Sequence, residues 1–445
     1  MKHSITTTLC LLCAIVAWGG HIMIDGAYTS PDDGVSIYPG TTRTYQVYVP
    51  DQYDGQSPAC LYVGLDGVLC NAPAVMDSLM AAGKMPVTIG IFLQPGVIRD
   101  AQGEVIRYNR SNEFDMTDGT FARFLDEQLL PHALATKVPD GRQLRISPRG
   151  DDHMIFGLSS GGIAAFTAAW HRPDLFGRVF SGVGTFVAMR GGNDLQAIVR
   201  KHEPQPLRIF LQDGSNDAWN PLFGHWYEGN RMLATALEFA GYDCRFDWSD
   251  GGHNVRRSTE IFAQVMEWMW HDWPQPIPVG TTHNDLLTTL LIPGEQWHKA
   301  PADSTVVYHN EIIYSPDSSL CVYSDVDDDQ FLEQAVMVDG KWTAYQRFYW
   351  LHNYTGNLDL NLFNMGMAFD RNGNLWVVTN AGLQVCDQNG RVRGIIAWPE
   401  TDALQSKIVI TDGYVTIFTR NATYTRRFNV EAPIPGQRPK SQGQG

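Results

Sequence analysis

The chain has 445 residues, more than one typical core holds, so two domains are expected. With 44% hydrophobic and 18% charged residues its composition is globular, which excludes a disordered chain. A formal net charge of −15, without a Lys/Arg cluster, argues against a nucleic-acid partner and suits neutral or cationic substrates.

Lys2 precedes an apolar run from Leu9 to Trp18. That run is too short to span a bilayer, which takes about 20 residues, and fits the core of a secretory signal. A short membrane anchor is the alternative reading. Neither Cys10 nor Cys13 sits in a lipobox, so residues 1–20 are expected to be a cleaved signal peptide. The mature protein would then be periplasmic or extracellular, with no transmembrane segment. Of the remaining cysteines, Cys60, Cys70, Cys244, Cys321 and Cys386 are scattered and lack metal-ligand spacing. They leave room for one disulfide, but a chain of this size needs no staple and buried free thiols are expected.

From about residue 40 to 270, strand-like and helix-like runs alternate. Strands are expected at 44–50, 59–65, 87–93, 153–158, 178–184, 207–214 and 243–250. Several are apolar at successive positions, as strands covered on both faces are. Amphipathic helices are expected at 121–134, 161–170, 227–240 and 258–270. The alternation implies an α/β fold with a mostly parallel sheet and helices on both faces, over residues 21–273.

The stretch "WPQPIPVG" cannot continue a helix, so residues 274–284 read as a proline-rich linker crossed by few contacts. Beyond it, over residues 285–430, short strands separated by Asp/Asn/Gly turns take over. "SPDSSLCVYS" and "DRNGNLWVVT" echo each other, with Leu320 aligned on Leu375. Such an echo suggests repeated β units of propeller type, about three of them, which is short for a closed propeller. Residues 431–445 are expected to be disordered.

Gly157-Leu158-Ser159-Ser160-Gly161 fits G-x-S-x-G, with a strand before it and a helix directly after. A nucleophile elbow places its serine on a strained turn at a strand's end, and small neighbours let backbone and substrate approach. The rival reading is an ordinary glycine-rich turn. A serine nucleophile needs a base, and the base needs an orienting acid, in the chain order Ser, acid, His. Asp217 lies just past the 207–214 strand, with Asp213 as its competitor. His253 lies in the glycine-rich "WSDGGHN" loop; His225 and His271 are its rivals. Ser160 N–H, with an N–H from Gly67 or Val68 in "GLDGVLC", would bind an oxyanion. Trp219, Phe223, His225 and Trp226 follow the acid and would either stack on substrate or pack beneath the loop.

Together "GLDG", "MPVTIGIFLQPG", "NRSNEFD", "GLSSGGIAAFTAAWHRPDLFGRV", "LQDGSNDAWN" and "GGHN" resemble the enterochelin-esterase-like, or esterase-D-like, α/β hydrolases. That group includes feruloyl and acetyl-xylan esterases of carbohydrate esterase family one. The resemblance, over about residues 41–273, implies a serine esterase with Ser159, Asp217 and His253 as its triad and no cofactor. Asn112 and Phe114 depart from the family's aromatic and tyrosine. Arg110 and Glu113 are expected to form a buried pair beside the site. Residues 365–396 resemble part of the gluconolactonase (senescence-marker) propeller family. Met365 stands where that family has a metal-binding Asp, and a thioether is a poor ligand for Ca²⁺, so no metal is expected. Asp370 reads as a turn residue.

These readings converge on an exported serine esterase acting on acetyl or feruloyl esters of a plant-type polysaccharide or oligosaccharide. Two alternatives stay open: a sugar lactonase working through the C-terminal β region, and a non-catalytic glycan-binding protein.

Overall fold

Residues apolar at successive positions fill the middle of the first sheet: Cys60–Leu65 (β3), Thr88–Leu93 (β4) and His153–Leu158 (β7) are buried at every position. The structure, a computed structural model, describes residues 20–308, 312–324, 330–354, 365–399 and 405–440. The signal-peptide reading, except for residue 20, falls outside these described residues. The other strands, in chain order, are His21–Thr29 (β1), Thr42–Pro50 (β2), Val97–Arg99 (β5), Val105–Tyr108 (β6), Arg178–Gly182 (β8), Arg208–Gly214 (β9), Trp219–Asn220 (β10), Gly224–His225 (β11) and Asp243–Ser249 (β12).

The large sheet runs β12-β9-β8-β7-β3-β4-β2-β5-β6, with β1 on β2. From β12 to β4 every pairing is parallel, whereas β2 pairs antiparallel with β4, β1 and β5. The expected strands are present within two residues of their ends. The exposed edge strand β1 was not expected, because half-exposed residues leave little apolar signal. Parallel strands point their C-terminal ends the same way, so the loops after β3, β7, β8, β9 and β12 gather on one edge, where ligands of open α/β sheets bind.

Among the described residues beyond 297 there are three four-stranded antiparallel sheets. One joins Ile313–Tyr314, Leu320–Ser324, Phe331–Val338 and Lys341–Trp350. The next joins Met367–Phe369, Leu375–Thr379, Gly382–Cys386 and Val392–Ile396. The last joins Lys407–Thr411, Tyr414–Phe418 and Ala422–Arg427 with the earlier strand His298–Pro301 on its edge. The sequence echo is structural: Leu320 and Leu375 each begin the second strand of a sheet. Each follows a turn closed by an aspartate, Asp317 on Ser319 N–H and Asp370 on Asn374 N–H.

Two expectations are corrected. Residues 274–284 are not a free tether: Ile277 N–H donates to Asp151, His283 N–H to Phe239 C=O, and Asn284 caps the helix Asp285–Leu290. The two regions touch directly, and one apolar core is continuous across both. Trp170 Nε1–H donates to Tyr354 at 2.8 Å, and Glu203 N–H to Ile395 C=O at 2.8 Å. Residues 431–440 are ordered rather than disordered, because their backbone bonds to folded segments: Gly436 N–H donates to Pro316 C=O, and Glu431 C=O accepts from Arg371 N–H. Cys60, Cys70, Cys244, Cys321 and Cys386 are all free thiols, and all but Cys244 are buried.

Candidate active site

Strand β7 stops at Leu158, and Ser159 takes φ 57°, ψ −121° before the helix Ser160–His171 begins. A positive φ is costly for a residue with a side chain, by about 1–3 kcal/mol, and persists only where surroundings enforce it. Here Ser159 N–H is held by Gly182 C=O, and Ser159 C=O accepts from Gly162, Ile163 and Thr185 N–H. The crowding of small residues has a steric cause. A Cβ on Gly157 would lie 2.2 Å from Gly161 C=O, and one on Gly162 2.7 Å from Ser181 Oγ.

The Ser159 hydroxyl lies 2.8 Å from His253 Nε2, and His253 Nδ1 lies 2.6 Å from Asp217 Oδ1. His253 is partly exposed and the Asp217 side chain is buried. Burial pushes the Asp217 carboxyl up, but the hydrogen bonds it accepts, that from His253 first, outweigh it and hold it below the usual range. Asp217 therefore lies on the Nδ1 side of the ring with its carboxyl held low, while Nε2 faces the serine.

Asp213 is fully buried and does not touch His253; it accepts from its own neighbour Gly214 N–H and from Asn230. His271 binds the Trp268 carbonyl at its helix end. His225 lies in the β10–β11 hairpin, opposite Trp219. Phe223 is in the same hairpin, and Trp219, 66% exposed, stands on its outer side. Trp226 is buried, its ring 5.8 Å from the His253 ring and edge-on, with Nε1–H donated to Thr185. It therefore walls the site next to the imidazole. Thr185 Oγ1 is 3.4 Å from Ser159 Oγ. Sequence reasoning missed Thr185, whose only signal is the small-residue run after β8.

Ser160 opens its helix, so its N–H has no partner one turn back. Gly67 is corrected as an oxyanion donor: its N–H is committed to Leu93 C=O at 3.0 Å. Val68, next in the loop and exposed, is the remaining candidate of that pair. A cleft of about 340 Å³ lined by Thr44, Gly67, Val68, Phe92 and Gln94 opens beside it.

The expected Arg110–Glu113 pair does not form. Arg110 makes a two-pronged bond to Asp66, Nε–Oδ1 2.7 Å and Nη2–Oδ2 2.8 Å, and reaches Leu158 C=O. Glu113 is buried and takes Arg43 at 2.9 Å, Asn109 at 2.7 Å and Gly96 N–H at 3.1 Å. The reason is satisfaction of a buried charge: Glu113 meets one cation and two neutral donors inside. Arg110 is freer, and it instead clamps the β3 loop, where Asp66 has φ 62°, to the end of β7.

In the β region Met365 is buried. Asp370 spends its oxygens on Asn372 and Asn374 N–H, Asn374 Nδ2 and Trp376 Nε1, the pattern of a turn residue. Among the described residues no helix is long and apolar enough to cross a membrane.

Comparison with known proteins adds a family. The iron(III) enterobactin esterase of Dickeya dadantii (strain 3937) is 26% identical over 265 residues, covering 52% of this chain and 55% of that protein. The solved enterobactin esterase from Shigella flexneri is similar with a TM-score of 0.41 and 21% identity, over 56% of this chain and 59% of that one. A solved ferulic acid esterase has a TM-score of 0.40 and 18% identity, over 56% of this chain and 98% of that one. The chain thus spans somewhat more than half the length of the enterobactin esterases it matches. The Esterase family model matches residues 36–267, more than half of the chain, so the protein belongs to the Esterase family.

Proposed function

We propose that the protein is an exported serine esterase that removes acetyl or feruloyl-type acyl groups from a plant-type polysaccharide or oligosaccharide. The observation that carries the reading is the unbroken hydrogen-bond chain from Asp217 through His253 to Ser159. In the proposed cycle His253 Nε2 takes the Ser159 proton as Oγ attacks the ester carbonyl. Ser160 and Val68 N–H groups stabilise the oxyanion, helped by the positive end of the helix Ser160–His171. His253 returns the proton to the leaving alcohol, and water then deacylates the enzyme by the same base. Asp217 holds the imidazole and balances its cation. The exposed Trp219 supports a planar or sugar-ring group at the mouth.

A siderophore ester is the second reading, favoured by the similarity to an iron(III) enterobactin esterase. The three C-terminal sheets are read as blades of an incomplete gluconolactonase-type propeller with a structural or glycan-presenting role. The buried Met365 and the turn-bound Asp370 support that over a lactonase site. The test is a kinetic panel of acetylated xylan, methyl ferulate, enterobactin and a sugar lactone, with wild type and Ser159→Ala. Xylan or ferulate turnover lost in the variant supports the first reading, and enterobactin as the one good substrate replaces it by the second. Chelator-sensitive lactone hydrolysis that survives Ser159→Ala would move function to the C-terminal sheets.

A further inference from the structure

The Asp217 carboxylate is only half satisfied. Its Oδ1 takes His253 Nδ1–H and Ala218 N–H, while Oδ2 is buried and receives no N–H or hydroxyl hydrogen bond. A bare buried carboxylate oxygen costs on the scale of a lost charged hydrogen bond, so it points to a missing donor. Four residues back in the chain, the fully buried Asp213 carboxyl at the end of β9 is coupled to Asp217 through a side-chain hydrogen bond and charge. Asp217 N–H donates to Gly214 C=O at 2.9 Å, which folds the loop back toward the end of β9, where Asp213 sits.

We propose that Asp213 is a positioning residue held as the neutral acid, whose hydroxyl donates to Asp217 Oδ2 and so fixes the carboxylate that orients His253. The inference rests on the proposed Ser159–His253–Asp217 reading. Two carboxylates in contact cannot both ionise in a dry site, so one keeps its proton. Burial first, then the Asp217 charge, push the Asp213 carboxyl up to about 9. Asp213 is the one to keep the proton because Asp217 has the His253 partner and Asp213 has no cation. On β9 its neighbour Gln212 is bonded to Ser258, and the helix Trp226–Phe239 offers it the neutral Asn230. Asp217, with His253 behind it, is the titratable group acting on it. Asn230 links this acid to the rest of the site, since its Nδ2 also reaches Gly184 C=O, beside Thr185, and Trp226 C=O. The Asp213 proton is not transferred in turnover; the mobile proton passes from Ser159 to His253 to the leaving alcohol.

The test compares kcat and KM for p-nitrophenyl acetate from pH 5 to 10 in the full-length wild type, Asp213→Asn, Asp213→Ala and Ser159→Ala, with background hydrolysis subtracted. Asparagine keeps a donor and has no proton to lose. Asp213→Asn should retain at least about a third of wild-type kcat and abolish a fall seen in wild type above about pH 9. Asp213→Ala should lose about 10- to 100-fold in kcat with KM little changed, the penalty of a buried unpaired acceptor. Equal losses in both variants with an unaltered pH profile, or no loss in either, overturn the proposal while a dead Ser159→Ala leaves the active-site reading standing. An active Ser159→Ala overturns both. If Asp213→Ala does not fold, the alkaline limb of Asp213→Asn against wild type decides alone.

Discussion

Arg426 and Glu203, 223 residues apart, form a two-pronged ion pair at 2.6 and 2.9 Å, with the Arg426 side chain only 5% exposed. The pair ties the last strand of the C-terminal sheets to the chain just after the helix Leu195–Lys201, beside Trp170 and Tyr354. Removing one partner leaves a buried charge unpaired, which costs about 3–5 kcal/mol. Arg426→Ala should therefore lower unfolding free energy by about 3 kcal/mol in urea titration. Turnover of the folded protein should be unchanged.

The same seam bears on truncation. A fragment of residues 21–275 exposes apolar surface around Trp170 and Ile198, both buried in the full chain. It should be poorly soluble or melt well below the full protein, even though every proposed catalytic group lies within it. A soluble fragment with wild-type melting would show that the seam contributes little.

Three histidines sit at that seam, His202 buried and His171 and His352 half-buried. His171 packs on Tyr354 at 4.5 Å, His202 on Trp170 at 4.9 Å, and His352 lies 2.7 Å from Lys201. Burial pushes His171 and His202 down, and burial with the Lys201 charge takes His352 to about 4. Their folded pKa values lie below the unfolded one, so the unfolded chain binds more protons between the two. Stability is then fully present above about pH 6.5 and falls as acid is added, by up to about 1.4 kcal/mol per pH unit per histidine. Urea titrations at pH 7 and pH 5 check this; His202→Gln should flatten the dependence.

Ser159→Ala should abolish ester hydrolysis, with a loss on the order of 10⁴-fold or more. Ser159→Gly should be equally inactive yet more stable than wild type by about 1 kcal/mol, because glycine adopts φ 57° without strain. Equal melting temperatures for the two variants would argue that the elbow stores no strain.

Asp217→Asn should cut kcat by about 10⁴-fold by favouring the wrong imidazole tautomer. Arg110→Lys loses the fork that holds Asp66 and with it the placement of the Val68 N–H. A shift of about 1 Å in a positioned group costs about 100-fold, so kcat should drop roughly 10- to 100-fold with KM nearly constant. A KM effect alone would assign Arg110 to substrate binding.

The elements that the sequence determined by itself are those whose cause is local. The strand 153–158, the small residues around Ser159 and the helix after it follow from steric limits within ten residues, and the structure has them there. Asp217 and His253 could be picked out as candidates because each lies a few residues past a recognisable strand, Arg208–Gly214 and Asp243–Ser249. The Asp66–Arg110 clamp, the diversion of Glu113 to Arg43 and the commitment of Gly67 N–H to Leu93 were not legible. Each joins residues from different strands or loops, and a charge takes whichever partner the fold brings within about 3 Å. The order of residues 431–440 and the packing of the C-terminal sheets on the esterase unit were hidden for the same reason. Polar and proline-rich segments carry no periodic signal, so only the tertiary surface against which their backbone groups are satisfied decides whether they fold.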